Sequence, residues 1–268
     1  MLKDKQYIDS SNYNARILLH RKFSTNKYPW PLWVFDQIDI IEGAKVLEIG
    51  CGNGLLWKLN AGRIPETWNI TLTDFSEGML KDAERNIGNI SAKVKYEVMD
   101  AVNIPYENNS FDTILANHML YHIPDRRKAL SEIQRVLKKS GFFYTTTMDG
   151  GYMKELTDIV REYRSISGGV SKSNSVIQNF SLQNGQEQLM EYFKEVNLEI
   201  YENSLMITEG APLADYAVSL NNIISGRVVL KEMEIDSFTS FVQNKINKEG
   251  SITVSANAGV FINRNSHD

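Results

Sequence analysis

Short apolar segments alternate with amphipathic ones through the middle of this chain. Apolar runs of the length typical of buried strands lie at residues 44–49, 68–73, 94–99, 111–116 and 142–147. Amphipathic patterns with helical spacing fall between most of these runs, at residues 55–60, 76–86 and 126–139. This alternation favours a doubly wound α/β sheet, because helices that connect parallel strands cover both faces of the sheet.

The pattern changes after residue 151. Residues 152–166, 183–196 and most of 211–248 have helical spacing, whereas residues 198–208 and 251–263 are strand-like and could pair antiparallel. We therefore predict an α/β fold with a Rossmann-like seven-stranded sheet. Most strands of this sheet would be parallel, with an antiparallel terminal hairpin, and a helical lid would complete the chain.

The same pattern divides the chain into three parts. Residues 1–43 form a helical leader or cap, residues 44–209 together with 251–268 form the α/β domain, and residues 210–250 form the helical lid insertion. The leader is aromatic and is interrupted by Pro29 and Pro31. The predicted lid offers apolar contacts but no diagnostic chemistry.

Composition narrows the class of protein further. The chain has 268 residues, with 33 acidic and 29 basic side chains, which gives a net charge of −4. This mild acidity argues against a dedicated nucleic-acid binder. A single cysteine, Cys51, excludes an intramolecular disulfide and a cysteine-based zinc site, and no metal is predicted. No targeting signal and no apolar run near 20 residues is visible, so we expect a cytoplasmic protein without a membrane partner.

A glycine-rich turn follows the first predicted strand. Gly50, Gly52 and Gly54 alternate with other residues, and a helix is predicted to begin directly after them. Glycines let the backbone approach a ligand closely, and backbone N–H groups at such a turn favour polar or anionic ligand groups. By itself the pattern also fits a tight turn from strand to helix.

Polar side chains follow the next three strands at the same edge of the predicted sheet. Asp74 ends the second strand, where a carboxylate can accept hydrogen bonds from both hydroxyls of a ribose. Asp100 closes the third strand and could accept from an exocyclic amine, and Asn117 ends the fourth. Open α/β sheets bind ligands at the carboxyl ends of their strands, so these positions predict one binding site.

The glycine spacing distinguishes two classes of nucleotide-binding protein. Dinucleotide binding requires G-x-G-x-x-G, and its third glycine would fall on Leu55. The observed spacing is G-x-G-x-G, with Glu48 two residues before the first glycine. Together with residues 73–80, 100–112, 120–125 and 137–142, this motif resembles the class I S-adenosylmethionine-dependent methyltransferases. The similarity is greatest to the small-molecule group that includes quinone-biosynthesis methyltransferases, and it covers about residues 44–148.

This resemblance implies that S-adenosylmethionine is the cofactor and S-adenosylhomocysteine the product. Asp74 would hold the ribose hydroxyls, Asn117 would lie near the methionine end, and Glu48 would either support the glycine loop or contact the cofactor. The predicted cofactor-binding residues are Glu48, Gly50, Cys51, Gly52, Asn53, Gly54, Asp74, Phe75, Met79, Asp100, Ala101 and Asn117. Within this set Cys51 is interpreted as a packing residue, because no nearby base is evident to activate its thiol.

The acceptor side of the site is less defined by sequence. His118 and His122 follow the fourth strand and are candidate catalytic bases, although a histidine in this loop is also an ordinary feature of the family. The residues predicted to line the substrate pocket or the lid are Tyr13, Tyr28, Trp30 and Tyr121. The aromatic residues of the leader could equally be core residues that fix it to the sheet.

The resemblance predicts transfer of a methyl group to an O, N or C atom of a small molecule, mainly by positioning and exclusion of water. Two alternatives stay open at this point. One is a methyltransferase acting on tRNA or protein, for which the leader offers only a few basic residues. The other is a non-catalytic protein that binds the cofactor. The sequence also leaves a homodimer open.

Overall fold

The computed structural model describes residues 11–167, 176–221 and 228–265. Two compact units are formed from interleaved stretches of the chain. The larger unit contains Tyr28–Gly150, Ile177–Tyr201 and Ala258–Asp268, and the smaller unit contains Met1–Lys27, Gly151–Val176 and Glu202–Asn257. The chain therefore enters each unit more than once.

The strands are ordered along the chain as follows. They are β1 (Lys45–Ile49), β2 (Asn69–Asp74), β3 (Lys93–Val98), β4 (Phe111–Asn117), β5 (Leu137–Met148), β6 (Glu195–Tyr201), β7 (Ser204–Ile207), β8 (Ile252–Ser255) and β9 (Ala258–Arg264). Seven of them form the sheet of the larger unit in the order β3-β2-β1-β4-β5-β9-β6. The remaining two, β7 and β8, pair antiparallel in the smaller unit.

The α-helices fall between and after these strands. They are α1 (Ser11–Phe23), α2 (Trp30–Asp36), α3 (Leu55–Leu59), α4 (Glu77–Ile87), α5 (Arg126–Val136), α6 (Lys154–Ser167), α7 (Gly185–Met190), α8 (Gly210–Ser219) and α9 (Ile235–Glu249). Short 3₁₀ turns lie at Ala61–Arg63, Leu120–His122, Val176–Asn179 and Glu232–Glu234. Side chains cap two of the helices: Ser76 accepts from the Met79 backbone N–H, and Asp125 accepts from that of Lys128.

Strand direction explains how the sheet gathers its polar residues. β1 runs parallel to β2 and β4, β2 runs parallel to β3, and β4 runs parallel to β5. Among the seven strands of this sheet, β9 alone runs in the opposite direction, since it pairs antiparallel with both β5 and β6. The carboxyl ends of β1, β2, β3 and β4 therefore meet at one edge, where the sequence places its candidate binding residues.

Large aromatic side chains fill the core of the larger unit. Trp57, Trp68 and Tyr144 are fully or almost fully buried there, together with aliphatic residues of β1, β2 and α4. The indole N–H of Trp68 donates to the Ile41 carbonyl at 2.7 Å, so its polar atom is satisfied inside the core. Burial of this apolar surface is the main force that holds the helices on the sheet.

The smaller unit has its own core. Leu19 and Phe23 of α1 pack with Leu213 of α8, Phe238 of α9 and Val254 of β8, all of them buried. Ser24, just past the end of α1, forms an isolated bridge to Leu205 of β7 and links the helix to the small sheet. A separate core of this kind is what allows the smaller unit to be a compact body.

The predicted seven-stranded, mostly parallel Rossmann-like sheet is confirmed, but two predicted helices are too long. The helix predicted over 126–139 ends at Val136, because Leu137 already pairs with Phe111 in the sheet. The helix predicted over 183–196 shrinks to Gly185–Met190, because residues from Glu195 onward pair with β9. In both places a strand partner distant in sequence outweighs local helical spacing.

The predicted lid, residues 210–250, contains α8 and α9, and its residues 222–227 lie outside the described part of the chain. The compact units divide the chain at other positions than the predicted leader, α/β domain and lid, since the smaller unit also takes in residues 151–176. Among the described residues, none of the helices combines the length and the apolar character needed to cross a bilayer.

Candidate active site

The loop after β1 owes its shape to three glycines with left-handed backbone. Gly50, Gly52 and Gly54 have φ values of 73°, 56° and 72°. A Cβ at Gly54 would lie 2.7 Å from Ile87 Cδ1, so packing as well as backbone conformation requires glycine there. At Gly52 the nearest atom to such a Cβ would be Met79 Cε at 3.6 Å, an ordinary van der Waals contact, so there the left-handed backbone alone favours glycine.

Hydrogen bonds from neighbouring elements hold this loop in place. The Cys51 backbone N–H donates to the Thr73 carbonyl at 2.8 Å, and the Thr73 hydroxyl donates to the Glu48 carbonyl at 2.8 Å. The Asn86 side chain donates to the carbonyl of Asn53, which is itself almost fully buried. The loop is thus fixed to β2 and to α4 before any ligand binds.

Asp74 turns its carboxylate towards the glycine loop from the end of β2. One oxygen accepts the Gly52 N–H at 3.1 Å, and the other accepts the Ser76 N–H at 2.8 Å. Burial raises the pKa of Asp74 above its usual value, while hydrogen bonds from backbone N–H groups lower it. The structure therefore brings together the glycine loop and the acid that sequence places at the second strand.

Glu48 lies inside the larger unit with both carboxylate oxygens occupied. One oxygen accepts the indole N–H of Trp57 in α3, and the other accepts the Asn117 side-chain N–H at 2.7 Å. Only 2% of Glu48 is exposed. The Asn117 side-chain oxygen is buried too, and it has no hydrogen-bond partner among the described residues.

Burial dominates the proton affinity of these groups. It raises the pKa of Glu48 to about 7; the hydrogen bonds from Trp57 and Asn117 oppose this rise, and the charge of Asp74 adds to it. Burial likewise raises the pKa of the Cys51 thiol well above its ordinary value, with the charges of Glu48 and Asp74 adding to the rise. Cys51 therefore carries a neutral thiol near neutral pH, as expected for a packing residue.

The residues predicted to contact the adenosine portion differ in exposure. Met79 and Ala101 are buried, whereas Phe75 is 45% exposed and Asp100 is exposed. Asp100 accepts the Val102 backbone N–H at 3.1 Å, which forms a turn just after β3. These side chains follow β2 and β3 at the same edge as Asp74 and supply both apolar and acidic groups there.

His118 occupies a strained backbone position where β4 ends. Its φ is 50°, a left-handed conformation that is uncommon for any residue other than glycine. Its N–H is held by the Thr146 carbonyl and hydroxyl, and its ring lies 5.2 Å from the ring of Trp30. Strain of this type is often found at functional sites, where the surrounding structure maintains it.

The other residues predicted for the acceptor side lie either in the turn after β4 or in the N-terminal leader. Tyr121 and His122 lie in the 3₁₀ turn after His118, with their ring centroids 4.5 Å apart. Trp30 begins α2 and stacks on Trp33 at 5.3 Å. Tyr28 is 43% exposed and donates its hydroxyl proton to Asp36. The backbone of Tyr13 belongs to α1, but its side chain lies outside the described residues.

Two residues that shape this site, Trp57 and Tyr201, are not among those predicted from sequence. The indole N–H of Trp57 donates to one carboxylate oxygen of Glu48. Tyr201 of β6 packs edge-on against both Trp30 and Trp33. Trp57 follows the glycine motif by three residues, so a donor within reach of Glu48 could have been anticipated. Tyr201 lies in a strand distant in sequence, and no local signal indicates its partners.

The mostly parallel seven-stranded sheet, the reversed strand and the glycine loop beside two strand-end carboxylates are the features that the sequence resemblance to class I methyltransferases leads us to expect. Residues 47–145 match the protein family described as methyltransferase domain. A demethylmenaquinone methyltransferase of Staphylococcus aureus is 34% identical over 113 residues, which are 42% of this chain and 46% of that protein. The chain thus spans about half the length of the curated relatives it matches, and the resemblance stated from sequence is confirmed for this segment.

Solved structures with the same fold extend the similarity over most of the chain. Phosphoethanolamine N-methyltransferase 2 of Haemonchus contortus, in complex with phosphomonomethylethanolamine and S-adenosylhomocysteine, has a TM-score of 0.58 at 21% identity. That match covers 99% of this chain and 59% of the other. A methyltransferase structure from Bacillus halodurans has a TM-score of 0.58 at 14% identity, covering 89% of this chain and 99% of that one.

No metal site accompanies this arrangement in the described part of the chain. Three or more His, Cys, Asp or Glu side chains nowhere come together there in a group that could hold an ion. The polar groups at the carboxyl ends of the strands are instead carboxylates, an amide and backbone N–H groups, which suit recognition of hydroxyl and amino groups.

Proposed function

We propose that this protein transfers a methyl group from S-adenosylmethionine to an O, N or C atom of a small molecule. The observation that carries the proposal is the carboxylate of Asp74 hydrogen-bonded to Gly52 in the left-handed glycine loop. The match of residues 47–145 to the methyltransferase domain family supports the proposal. The descriptions of two similar proteins, which name demethylmenaquinone and phosphomonomethylethanolamine, favour a small-molecule acceptor.

The residues present suit this cofactor. Gly52 has no side chain between its backbone and a ligand, and the carboxylate of Asp74 can accept from the ribose hydroxyls. The partnerless oxygen of Asn117 can accept from a donor at the methionine end. When bound, the cofactor supplies a methyl group already activated on a positive sulfur, so the protein is left with alignment and charge management.

The chain's own residues would perform three tasks in this reaction. The glycine loop and Asp74 bind and orient the cofactor. The buried groups around Glu48 and Asn117 exclude water, which strengthens every electrostatic interaction within the site. A ring nitrogen of His118 or His122 would accept the acceptor's proton where the nucleophile must lose one, and Tyr28, Trp30 and Tyr121 would contribute to the acceptor pocket.

Calorimetry with S-adenosylhomocysteine tests the binding step directly. We expect Asp74→Ala to weaken binding about 100-fold, because an ionised acceptor of ligand hydroxyls is lost. Glu77→Ala provides a matched control, since Glu77 is an exposed acid close by in the chain that pairs with Lys81 on its own helix. Equal affinity of wild type and Asp74→Ala would refute the role of Asp74.

Turnover separates the proposed reaction from its alternatives. We expect release of S-adenosylhomocysteine with small phenols, amines or quinone precursors as acceptors. A protein that binds the cofactor but turns over none of a broad small-molecule panel would contradict the proposal. Turnover that depends on added RNA, and that falls steeply with salt, would instead indicate a nucleic-acid substrate.

A further inference from the structure

The hydrogen bonds around Glu48 have a direction that depends on its protonation state. The indole N–H of Trp57 and the side-chain N–H of Asn117 are donors, so the arrangement requires a carboxylate that accepts at both oxygens. A protonated Glu48 would carry one O–H, and that proton needs an acceptor. Trp57 has none to offer, because an indole nitrogen donates only.

Asn117 is the one partner of the two that can adapt. Its amide can rotate by half a turn, so that its oxygen accepts from a protonated Glu48 and its N–H₂ group points the other way. In the arrangement described, the N–H₂ group faces Glu48 and the partnerless oxygen faces away from it. The proton on Glu48 therefore decides whether Asn117 presents an acceptor or a donor on its other side.

We propose that Trp57 is a positioning residue for the cofactor, acting through Glu48 to hold the Asn117 amide with its oxygen free for a cationic amino group. This inference rests on the proposed function, because the amino group belongs to the methionine end of the bound cofactor. An indole offers no acceptor, so of the two partners only Asn117 can accept the proton of a protonated Glu48. Protonation and rotation of the amide are then one event.

The other ionisable groups near Glu48 do not take the place of Asn117 as the acceptor of its proton. Asp74, at the end of β2, raises the pKa of Glu48 through its charge. The thiol of Cys51, in the glycine loop, stays neutral near neutral pH because burial raises its pKa. Neither of them donates a hydrogen bond to the Glu48 carboxylate, whose two oxygens accept from Trp57 in α3 and Asn117 in β4.

Cofactor binding should consequently release a proton from Glu48 to the buffer near neutral pH. With a midpoint near 7, we expect the affinity for S-adenosylhomocysteine to rise about tenfold between pH 6 and pH 8. The proton released can be counted by calorimetry in two buffers of different ionisation enthalpy. A role of these residues in structure alone would change affinity without this pH profile.

Two tryptophan variants form a matched test. Trp57→Phe removes the donor to Glu48, and Trp68→Phe removes a buried indole N–H that donates to a backbone carbonyl in the same core. We expect Trp57→Phe to move the midpoint upward by about one pH unit, since a hydrogen bond to the ionised form is lost. Trp68→Phe should keep the wild-type midpoint, and Glu48→Gln should remove the profile between pH 6 and pH 8.

A measurement without cofactor covers the case in which a variant folds poorly. Carbon NMR of the Glu48 carboxyl group and nitrogen NMR of the Asn117 side-chain amide can follow both groups in wild-type protein. We expect the two signals to titrate with one midpoint. Separate midpoints, an unshifted Trp57→Phe profile or a pH profile retained in Glu48→Gln would each overturn the inference. Absence of binding at every pH would instead contradict the proposed function, and the NMR titration would still decide the role of Trp57.

Discussion

Each of the two compact units holds an ionisable side chain in a hydrogen bond to an aromatic residue. In the larger unit, Glu48 accepts from Trp57, and burial raises its pKa to about 7. In the smaller unit, the ring of His20 shares a 2.7 Å hydrogen bond with the Tyr152 hydroxyl, and burial lowers its pKa to about 4. Burial favours the neutral form in both units, but the neutral form is the protonated one only for the acid.

The difference shows what each pair can contribute. Near neutral pH, Glu48 is close to its midpoint and its protonation state can respond to a bound ligand. His20 is neutral from about pH 5 upward, between Tyr152, which stacks on it at 5.9 Å, and Tyr216, which meets it edge-on at 6.2 Å. The histidine of the smaller unit therefore stays neutral near neutral pH, whereas the glutamate of the larger unit is poised to titrate.

The most disruptive test displaces the glycine loop on which the larger unit depends. Gly54→Ala adds a Cβ that would meet Ile87 and Ala83, at a backbone position with φ of 72°. We expect a loss of about 3–4 kcal/mol in the free energy of unfolding, from left-handed strain plus overpacking. Gly43→Ala is the control, because Gly43 also has positive φ but nothing within 4 Å of its Cβ position, and it should lose only about 1 kcal/mol. Equal losses in denaturant unfolding would contradict the packing argument.

Glu48→Gln removes the titrating group of the larger unit. A folded pKa near 7, above the unfolded value near 4.5, makes the native state bind more protons than the unfolded state within that window. Wild-type stability should therefore fall by about 3 kcal/mol, relative to Glu48→Gln, as pH rises from 4.5 to 8. Denaturant unfolding across this range measures the effect. A difference between the two proteins that is constant with pH would mean that Glu48 titrates normally.

His20→Gln tests the smaller unit, where the sign is reversed. With a folded pKa near 4, below the unfolded value near 6.5, the unfolded state binds more protons in this window. Wild-type stability should fall by about 2 kcal/mol between pH 7 and pH 5, and His20→Gln should lose less. Hydrogen exchange of α1 and α8 amides would locate this loss in the smaller unit. If wild type and His20→Gln lose the same stability between pH 7 and pH 5, His20 does not cause the loss and the contrast between the two units disappears.

Tyr152→Phe should have the smallest effect on stability of these four substitutions. It removes the hydroxyl that bonds the His20 ring but keeps the stacked ring itself. We expect a loss of about 1 kcal/mol at pH 7, the net worth of a neutral hydrogen bond. Thermal unfolding of Tyr152→Phe, His20→Gln and the double variant should reveal coupling between the two sites. Strictly additive losses would mean that the two side chains act independently.

The geometry of the loop and its acid could be predicted from sequence, because it depends on a local motif at the end of a strand. Three alternating glycines, an acid before them and Asp74 after the next strand are close in sequence, and they define the loop and its hydrogen bonds. The class of sheet, seven-stranded and mostly parallel, followed from the alternation of strands and helices, whereas the order of the strands was not predicted. These features are local, so their pattern survives without knowledge of tertiary contacts.

The roles that sequence left open depend on pairings that are distant in the chain. Glu48 could be support or contact because its partner Asn117 is 69 residues away. His20 gave no sign of Tyr152, which is 132 residues away. The helix predicted over 126–139 failed at its end for the same reason, since Leu137 belongs to β5 through its partner in β4. Burial and pairing between remote elements decide such cases.

The position of β9 within the sheet has a consequence for biosynthesis. β9 is made after all other described strands, yet it lies between β5 and β6 and supplies the backbone partners for both. Until it leaves the ribosome, β6 has no neighbour in the larger sheet and β5 has one open edge. Helix α1 packs with α8, which is made about 190 residues later. At a translation rate of 5–20 residues/s this delay is about 10–40 s. Nascent chains of this protein therefore carry an unpaired edge on β5 while about 110 further residues are made, and an exposed strand edge of this kind is a template for aggregation.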